Sequence, residues 1–548
     1  MPSGTLGVSL TGLYVAQAGI RTTQHNIANV NTVGYRRQEA VQTTQAPQYA
    51  GGGFLGTGAA LETVRRAFDR FLDNEVLLNQ GQLARHEVYA TYATEVDRLL
   101  GDEDSGLGTG LDRFFAGVDE VVNDPASVVA RQSLLSAGQG LAARFRAVDG
   151  RLRDMQQATD DEIRTLVDQI NTYARQLTQI NAAIARLESV GGDQANDLRD
   201  QRDLLVAEIN KLVNVNVVEQ SDGSFNLFIG SGQTLVLGET AFQMVTVADP
   251  SDGEHILPAI RLSPANNLVL NGDLFSGGRL DGLLDLREQV IQPALDDVNQ
   301  LAVSLASAIN TVHRAGFDQA GNTGVNFFTD PVTAAAGNTG TGVLGLTHLG
   351  VHQAVFSQYT LTDNGANYTL TRAADGATRT GTLAQVVDLD ADGSNDVGFT
   401  IGVSGAPAAG DSWTLDLRDY ARRMTVVPTA GSGIAAASAA NQPGNNVQAL
   451  AMAALGTTPM MNNGTDHLNG FFSGVVGRTA VLASDADLSV TSYTALVEQS
   501  QIAQQSVSGV NLDEEAANLI RYQQAYQAAA RAIQIASSLF DEILAAVR

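Results

Sequence analysis

LDEEAANLIRYQQAYQAAARAIQIASSLFDEILAAV, residues 512–547, carries a seam at every third or fourth position from its first turn to its last, with only Gln523 and Ser537 polar in it. Leu512, Ala516, Leu519, Gln523, Tyr526, Ala530, Ile533, Ser537, Phe540, Leu544 and Val547 alternate spacings of four and three, the heptad seam of a helix that packs along another helix. Asn511 with Glu514 three residues later reads as a capping box. Asp513 and Glu515 add negative charge at the positive helix end, so the helix is predicted to begin there. At 1.5 Å per residue it is about 54 Å long if unbroken. It cannot hide such a seam alone.

The opening residues carry a matching pattern. Leu6, Leu10, Leu13, Gln17, Ile20, Gln24 and Ile27 keep the same alternation. No acidic residue precedes Glu39, and Arg21, Arg36 and Arg37 are the fixed charges there, so the outer face is Thr, Gln, Ser, Ala and Gly. A solvated helix face is normally charged. Terminal segments usually fray, whereas these two have clean seams with few charges beside them, which points to burial on more than one side, as inside an assembly. Asn29, Asn31 and Gly34 tolerate turn or left-handed geometry and are predicted to end the first helix.

Residues 6–38, LGVSLTGLYVAQAGIRTTQHNIANVNTVGYRRQ, resemble the N-terminal signature of the flagellar axial proteins, the family of rod, hook and junction subunits. Ala28, Asn29, Asn31, Thr32, Gly34 and Tyr35 carry the likeness. Residues 508–544, with Gln523, Gln524, Ala525 and Tyr526 at their centre, are similar to the hook-filament junction members of that family, the hook-associated proteins. Residues 105–125, 195–217 and 277–318 also look like them. The resemblance implies a non-enzymatic structural subunit of the bacterial flagellum whose terminal helices pair as a coiled coil lining a tube. Leu6, Leu10, Leu13, Ile20 and Ile27 would then assemble with Leu512, Ala516, Leu519, Tyr526, Ala530, Ile533, Phe540, Leu544 and Val547. It implies as partners the hook protein, the next hook-associated junction protein, further copies of the chain, and a cytoplasmic export chaperone on the C-terminal segment. It implies an extracellular location at the hook-filament junction, reached by type III export without a cleaved signal peptide. Another axial protein, a hook or distal rod subunit, is the nearest alternative, and a secreted coiled-coil adhesin is a further one.

Between the ends the texture is mixed. Ile163, Leu166, Ile170, Tyr173, Leu177, Ile180, Ile184 and Leu187 form another helical stripe, and Gly191-Gly192 precedes a helix with Leu198, Leu205, Ile209 and Leu212, which together read as an antiparallel helical hairpin. A third long helix is predicted over about 280–312, with Pro293 kinking or breaking it. Asp222-Gly223 signals a β-hairpin. From about 326 to 424 the chain turns to Thr, Gly and Asn with strand-like runs at Tyr359, Tyr368, Val397 and Ser412, and Asn364-Gly365 and Asp375-Gly376 supply turns. The expected fold is therefore α+β and multidomain. Long terminal coiled-coil helices (1–50 and 508–548) flank a central helical bundle with appended β-hairpins (51–325 and 425–507), into which a β-rich outer domain (326–424) is inserted.

Composition removes several classes of function. The 548 residues exceed one ordinary core, and 44% hydrophobic against 17% charged residues suits a folded soluble chain. A net charge of -26 repels phosphate backbones and anionic lipid heads, so neither nucleic acid nor membrane is an expected partner. Without cysteine there is no disulfide, thiolate nucleophile or Cys-ligated metal centre. Asp388-Leu-Asp-Ala-Asp-Gly393 begins like a calcium loop, but its twelfth position is Phe399, so a hydrated turn is the better reading. His348 and His352 have metal-helix spacing with Gly350 between them and are expected as turn or surface residues. The glycine run at 51–58 lacks a phosphate-loop lysine and is expected as a flexible connector. No carboxylate pair sits in a catalytic motif, so no cofactor, metal or catalytic residue is assigned.

Overall fold

A computed structural model of the chain describes residues 2–49, 52–102, 106–191, 194–249, 255–349, 357–373, 375–391, 393, 395, 397 and 399–547. It opens with α1 (Pro2–Ala28), followed by a ribbon of β1 (Gln38–Thr44), β2 (Gln48–Tyr49), β3 (Phe54–Leu55) and β4 (Ala59–Arg66). β1 pairs with β4 and β2 with β3, all antiparallel, and both β1 and β4 lie along α1. The glycine run expected as a connector is thus the tip of a ribbon, with Gly51 outside the described residues. Val41, Thr43, Thr44, Thr63 and Val64 are β-branched and favour its pleated stem.

α2 (Arg70–Leu100) starts where the Asp69 carboxylate accepts hydrogen bonds from the Phe71 and Leu72 amides at 2.9 and 3.3 Å. α3 (Leu107–Asn123) leads into α4 (Val128–Gly191), a single helix of 64 residues, about 96 Å long at 1.5 Å per residue. α5 (Asn196–Leu212) packs back on α4 and completes the expected helical hairpin. Ile163, Leu166, Ile170, Leu177 and Ile184 of the predicted stripe are buried, while Leu187 is exposed near the hairpin end.

Two small sheets lie on α4. β5 (Val215–Glu219), β6 (Phe225–Ile229), β7 (Gln233–Leu237) and β8 (Thr240–Ala241) pair in chain order, with Asp222-Gly223 in the first turn as expected. β9 (Met244–Ala248), β10 (Ile256–Ser263) and β11 (Asn266–Val269) form the second, with β10 central. Two buried asparagines of α4 act as surrogate strand partners. Asn171 exchanges 2.8 Å hydrogen bonds with the backbone N–H and C=O of Met244, and Asn181 does the same with Phe225 at 3.2 and 2.9 Å. Each satisfies two backbone groups that burial would otherwise strand.

α6 (Arg279–Leu286) and α7 (Gln292–Arg314) are joined by a π-helical turn at Arg287–Ile291, in which the Gln292 amide bonds the Arg287 carbonyl. Pro293 supplies no amide hydrogen to the normal ladder, and the wider turn in front of it absorbs the defect. In the stretch that follows, β12 (Val332–Ala334), β14 (Gln358–Asp363), β15 (Tyr368–Arg372), β16 (Thr378–Gly381) and β18 (Ser412–Asp416) build a five-stranded sheet in the order β12-β18-β14-β15-β16. β13 (Val343–Leu349) pairs with β17 (Phe399–Ser404), and short helices α8 (Leu383–Val386), α9 (Tyr420–Arg423) and α10 (Val447–Ala454) complete it. α11 (Leu468–Ser508) returns along α2, and α12 (Leu512–Val547) returns along α1.

The sheet's buried residues, among them Tyr359, Leu361, Trp413 and Leu415, belong to the same apolar cluster as Phe114, Phe327 and Phe328 of the helical body. These three rings meet at centroid distances of 4.8–5.6 Å. A second cluster joins α4, α5, α6 and the two small sheets. Within the acidic loop, the Asp388 carboxylate is 3.0 Å from Arg379 Nη1, while Asp392 lies outside the described residues. His352 and the side chain of His348 also lie outside them.

Two carboxyls of the body set an expected pH response. Burial pushes Asp281 up to about 6, Asp285 adding to it, and burial pushes Asp296 up to about 7. Both folded values exceed the unfolded ones, so their stabilising contribution is complete below about pH 4 and is lost as pH rises through 6 to 7. These two carboxyls favour a higher urea midpoint at pH 5 than at pH 8, opposed by His86 and His313, whose lowered values act the other way. Asp281→Asn and Asp296→Asn together should remove their share of that slope. An unchanged slope in the double variant would exclude these two carboxyls as its source.

Candidate assembly surface

The α1 face turned inward runs through Gly12, Ala16, Gly19, Thr23 and Asn26, again alternating four and three. On α12, Tyr522 stands against Gly19 and Ala529 against Gly12, and Glu515 and Ala536 are buried. The small residues decide this register. A Cβ at Gly19 would stand 2.6 Å from the Tyr522 ring, so glycine at that position lets the ring lie against the α1 backbone. Val15 and Ala18 are also buried on α1, which packs against β1 and β4 besides α12.

The pair is thus a coiled coil, and on α1 its face differs from the stripe of large residues. Leu6 and Leu10 remain 38% and 41% exposed, and Leu13, Ile20 and Ile27 are half-buried. Leu512, Tyr526 and Phe540 are 50%, 37% and 48% exposed, Ala516 is exposed, and Leu519, Ala530 and Ile533 are half-buried. The side chains of Leu544 and Val547 lie outside the described residues. Heptad spacing is the same for adjacent faces of one helix, so periodicity named the large residues where close packing selects small ones. Ile520, Ile535 and Leu539 extend the uncovered apolar surface of α12.

The expected capping box is one-sided. Asn511 Oδ1 accepts from the Asp513 and Glu514 amides at 2.9 and 3.4 Å, whereas the Glu514 carboxylate turns to Arg37 Nη1 at 3.5 Å. That pair ties α12 to the loop after α1.

In the loop itself, the Asn29 Nδ2 donates to the His25 carbonyl at 3.0 Å, and Thr32 Oγ1 donates to Asn29 Oδ1 at 3.2 Å. Gly34 has φ +80°, and a Cβ there would touch Leu204 of α5. The Tyr35 hydroxyl donates to Asn26 Oδ1 at 2.7 Å, and burial, with Asp197, Asp200 and Glu515 nearby, raises its pKa. Asn26 also exchanges two 2.9 Å hydrogen bonds with the Gln38 backbone. Ala28 and Asn31 are exposed, as are Gln523, Gln524 and Ala525 on the outer side of α12.

Below the loop sits a charged hub that no local pattern announces. Arg36 Nη1 is 2.7 Å from Asp73 and 3.4 Å from Asp203, while Arg66 Nη1 is 2.7 Å from Asp200 and 2.9 Å from Asp203. Gln504 of α11 donates to Asp73. Arg36 also lies over the Phe68 ring at 4.7 Å. Burial pushes the Asp73 and Asp200 carboxyls up, and the guanidiniums pull them back. The Arg37 amide donates to the Ser508 carbonyl at 2.8 Å and the Ala67 amide to the Arg37 carbonyl at 2.7 Å, so loop, ribbon, α2, α5 and the α11–α12 joint meet at one point. Asp200 and Asp203 stand three residues apart on α5, but the arginine they share, Arg66, lies more than 130 positions away.

A family description, the flagellar hook-associated protein FlgK helical domain, matches residues 93–328, and the C-terminal region of the flagellar basal body rod FlgEFG proteins matches residues 503–546. Flagellar hook-associated protein 1 of Escherichia coli (strain K12) is 32% identical over 551 residues, covering 99% of both chains. The chain belongs to the flagellar hook-associated protein 1 family. The Bacillus subtilis (strain 168) member is 25% identical over 570 residues, covering 97% of this chain and 96% of its own. The solved structure of the flagellar hook junction protein FlgK from Burkholderia pseudomallei aligns with a TM-score of 0.63 at 26% identity, covering 79% of this chain and all of that one. Among the described residues, no helix is long and apolar enough to cross a membrane.

Proposed function

We propose that the chain is the structural subunit that joins the flagellar hook to the filament, polymerising through its terminal helix pair. One observation carries the mechanism: α1 and α12 pair through small residues, which leaves Leu6, Leu10, Leu512, Ile520, Leu539 and Phe540 uncovered on the pair. Covering the exposed part of each such side chain is worth about 1 kcal/mol. A layer of neighbouring copies supplies that burial. Its inner surface is the α1–α12 pair, α2, α4 and α11 form the next layer, and residues 326–424 face outward. The hook protein contacts one end of the layer and the next hook-associated junction protein the other. Before assembly a cytoplasmic chaperone covers the C-terminal helix, and the chain leaves the cell by the flagellar export route without a cleaved signal. The family likeness supports this route, and catalysis has no part in it.

Cells lacking the protein are expected to keep intact hooks while shedding filament subunits into the medium, as electron microscopy and analysis of the supernatant would show. Absent hooks would instead identify a hook or distal rod subunit. Unchanged motility with lost adhesion would identify an adhesin.

A further inference from the structure

The ribbon tip and the cleft beside the hub are complementary features of one chain. At the tip, Tyr49 pairs with Phe54 across β2 and β3, their rings 5.5 Å apart, and Tyr49, Phe54 and Leu55 are each more than 60% exposed. Three large apolar side chains at the end of a two-stranded ribbon have no core to join, which is the mark of a contact surface. From Val41 to Leu61 the ribbon carries no acidic or basic residue, so it can be buried without desolvating a charge.

The cleft holds about 770 Å³ and lies between the loop after α1, the start of α2, α5, β5 and the α11–α12 joint. Val33, Leu77, Leu204 and Val217 give it apolar walls. Arg37 Nε and Gln80 Oε1, on two of its lining residues, are buried and lack hydrogen-bond partners, one a donor and the other an acceptor. A C=O reaching Arg37 Nε, or an N–H reaching Gln80 Oε1, would satisfy each.

We infer that the Tyr49–Phe54 tip of one copy seats in this cleft of the next copy. The tip cannot reach the cleft of its own chain. β1 begins at the hub, where Gln38 Nε2 bonds Asp197 at 2.8 Å, and leads away along α1 until the Ala59 amide meets Thr11 Oγ1. At about 3.4 Å per residue its seven residues carry the tip roughly 20 Å from the cleft. Knob and hole are different surfaces, so the contact is heterologous and can repeat head to tail around a tubular layer. The ribbon also runs along the α1–α12 layer, which makes the contact continuous with the proposed assembly surface. The inference rests on that polymer and adds to it a specific axial joint.

The chain contains no cysteine, so introduced pairs report on one contact alone. Phe54→Cys and Leu204→Cys, singly and combined, would be assembled on purified hooks and oxidised. The double variant is expected to give covalent dimers and longer ladders, with each single variant remaining monomeric on denaturing gels. Leu55→Cys with Val33→Cys repeats the measurement if the first pair impairs assembly. Assemblies of the double variants that run as monomers, or single Phe54→Cys chains that dimerise, would overturn the inference while leaving the tube intact. Failure of the unaltered chain to assemble on hooks would instead sink the polymer itself.

Discussion

Removal of residues 512–548 is expected to abolish incorporation at the hook tip while leaving the rest of the chain folded. Neither apolar cluster of the body includes any residue of α1 or α12, so no core cavity opens when α12 is lost. The truncation removes the partner of Gly12, Ala16 and Gly19 and with it the uncovered stripe of Leu512, Ile520, Ile535, Leu539 and Phe540. Those five side chains are about half exposed, so they represent on the order of 5 kcal/mol of burial available to an assembly. Loss of most of it lowers the polymerisation constant by several powers of ten, each 1.4 kcal/mol being a factor of ten. The checks are immunogold labelling of hooks and a urea curve of the truncated chain. Normal labelling would refute the mechanism, and collapse of the body would show that the two parts are not separable.

Arg66→Ala is the substitution expected to cost most stability for one residue. The Arg66 side chain is 6% exposed and contacts Asp200 and Asp203, whose side chains are 7% and 12% exposed. Breaking a buried pair by deleting one partner costs about 3–5 kcal/mol, because the remaining charge stays buried. Arg36 still reaches Asp203, so Asp200 bears most of the loss. Burial already raises the Asp200 pKa, and removing Arg66 raises it further. The destabilisation should therefore be larger at pH 8 than at pH 5, where the orphaned carboxyl can take up a proton. Replacing Arg66 and Asp200 together by apolar residues, with Asp203 kept for Arg36 and Arg202, should cost less than Arg66→Ala alone. Equal urea midpoints for wild type and Arg66→Ala would mean that the hub contributes no stability.

Much of the architecture was readable because it is written in local signals. The Asp222-Gly223, Asn364-Gly365 and Asp375-Gly376 turns, the stripe from Ile163 to Ile184 and the break at Pro293 depend on a few consecutive residues, and each stands where local chemistry puts it. The β1–β4 ribbon escaped notice because its strands are separated by Pro47 and a glycine run that reads as a connector. The charged hub escaped because its carboxylates and guanidiniums come from distant segments, and attraction between them has no signature in sequence spacing.

Helix periodicity, turn dipeptides and the scarcity of charge at both ends came from the sequence by itself, since each depends on residues that are neighbours along the chain. Which face of α1 meets α12 was decided by tertiary structure alone. Two helices approach most closely where glycine and alanine leave room, so Gly19 receives Tyr522 and the larger leucines are left outward. The same close packing that holds one chain together is what keeps its apolar stripe free for another.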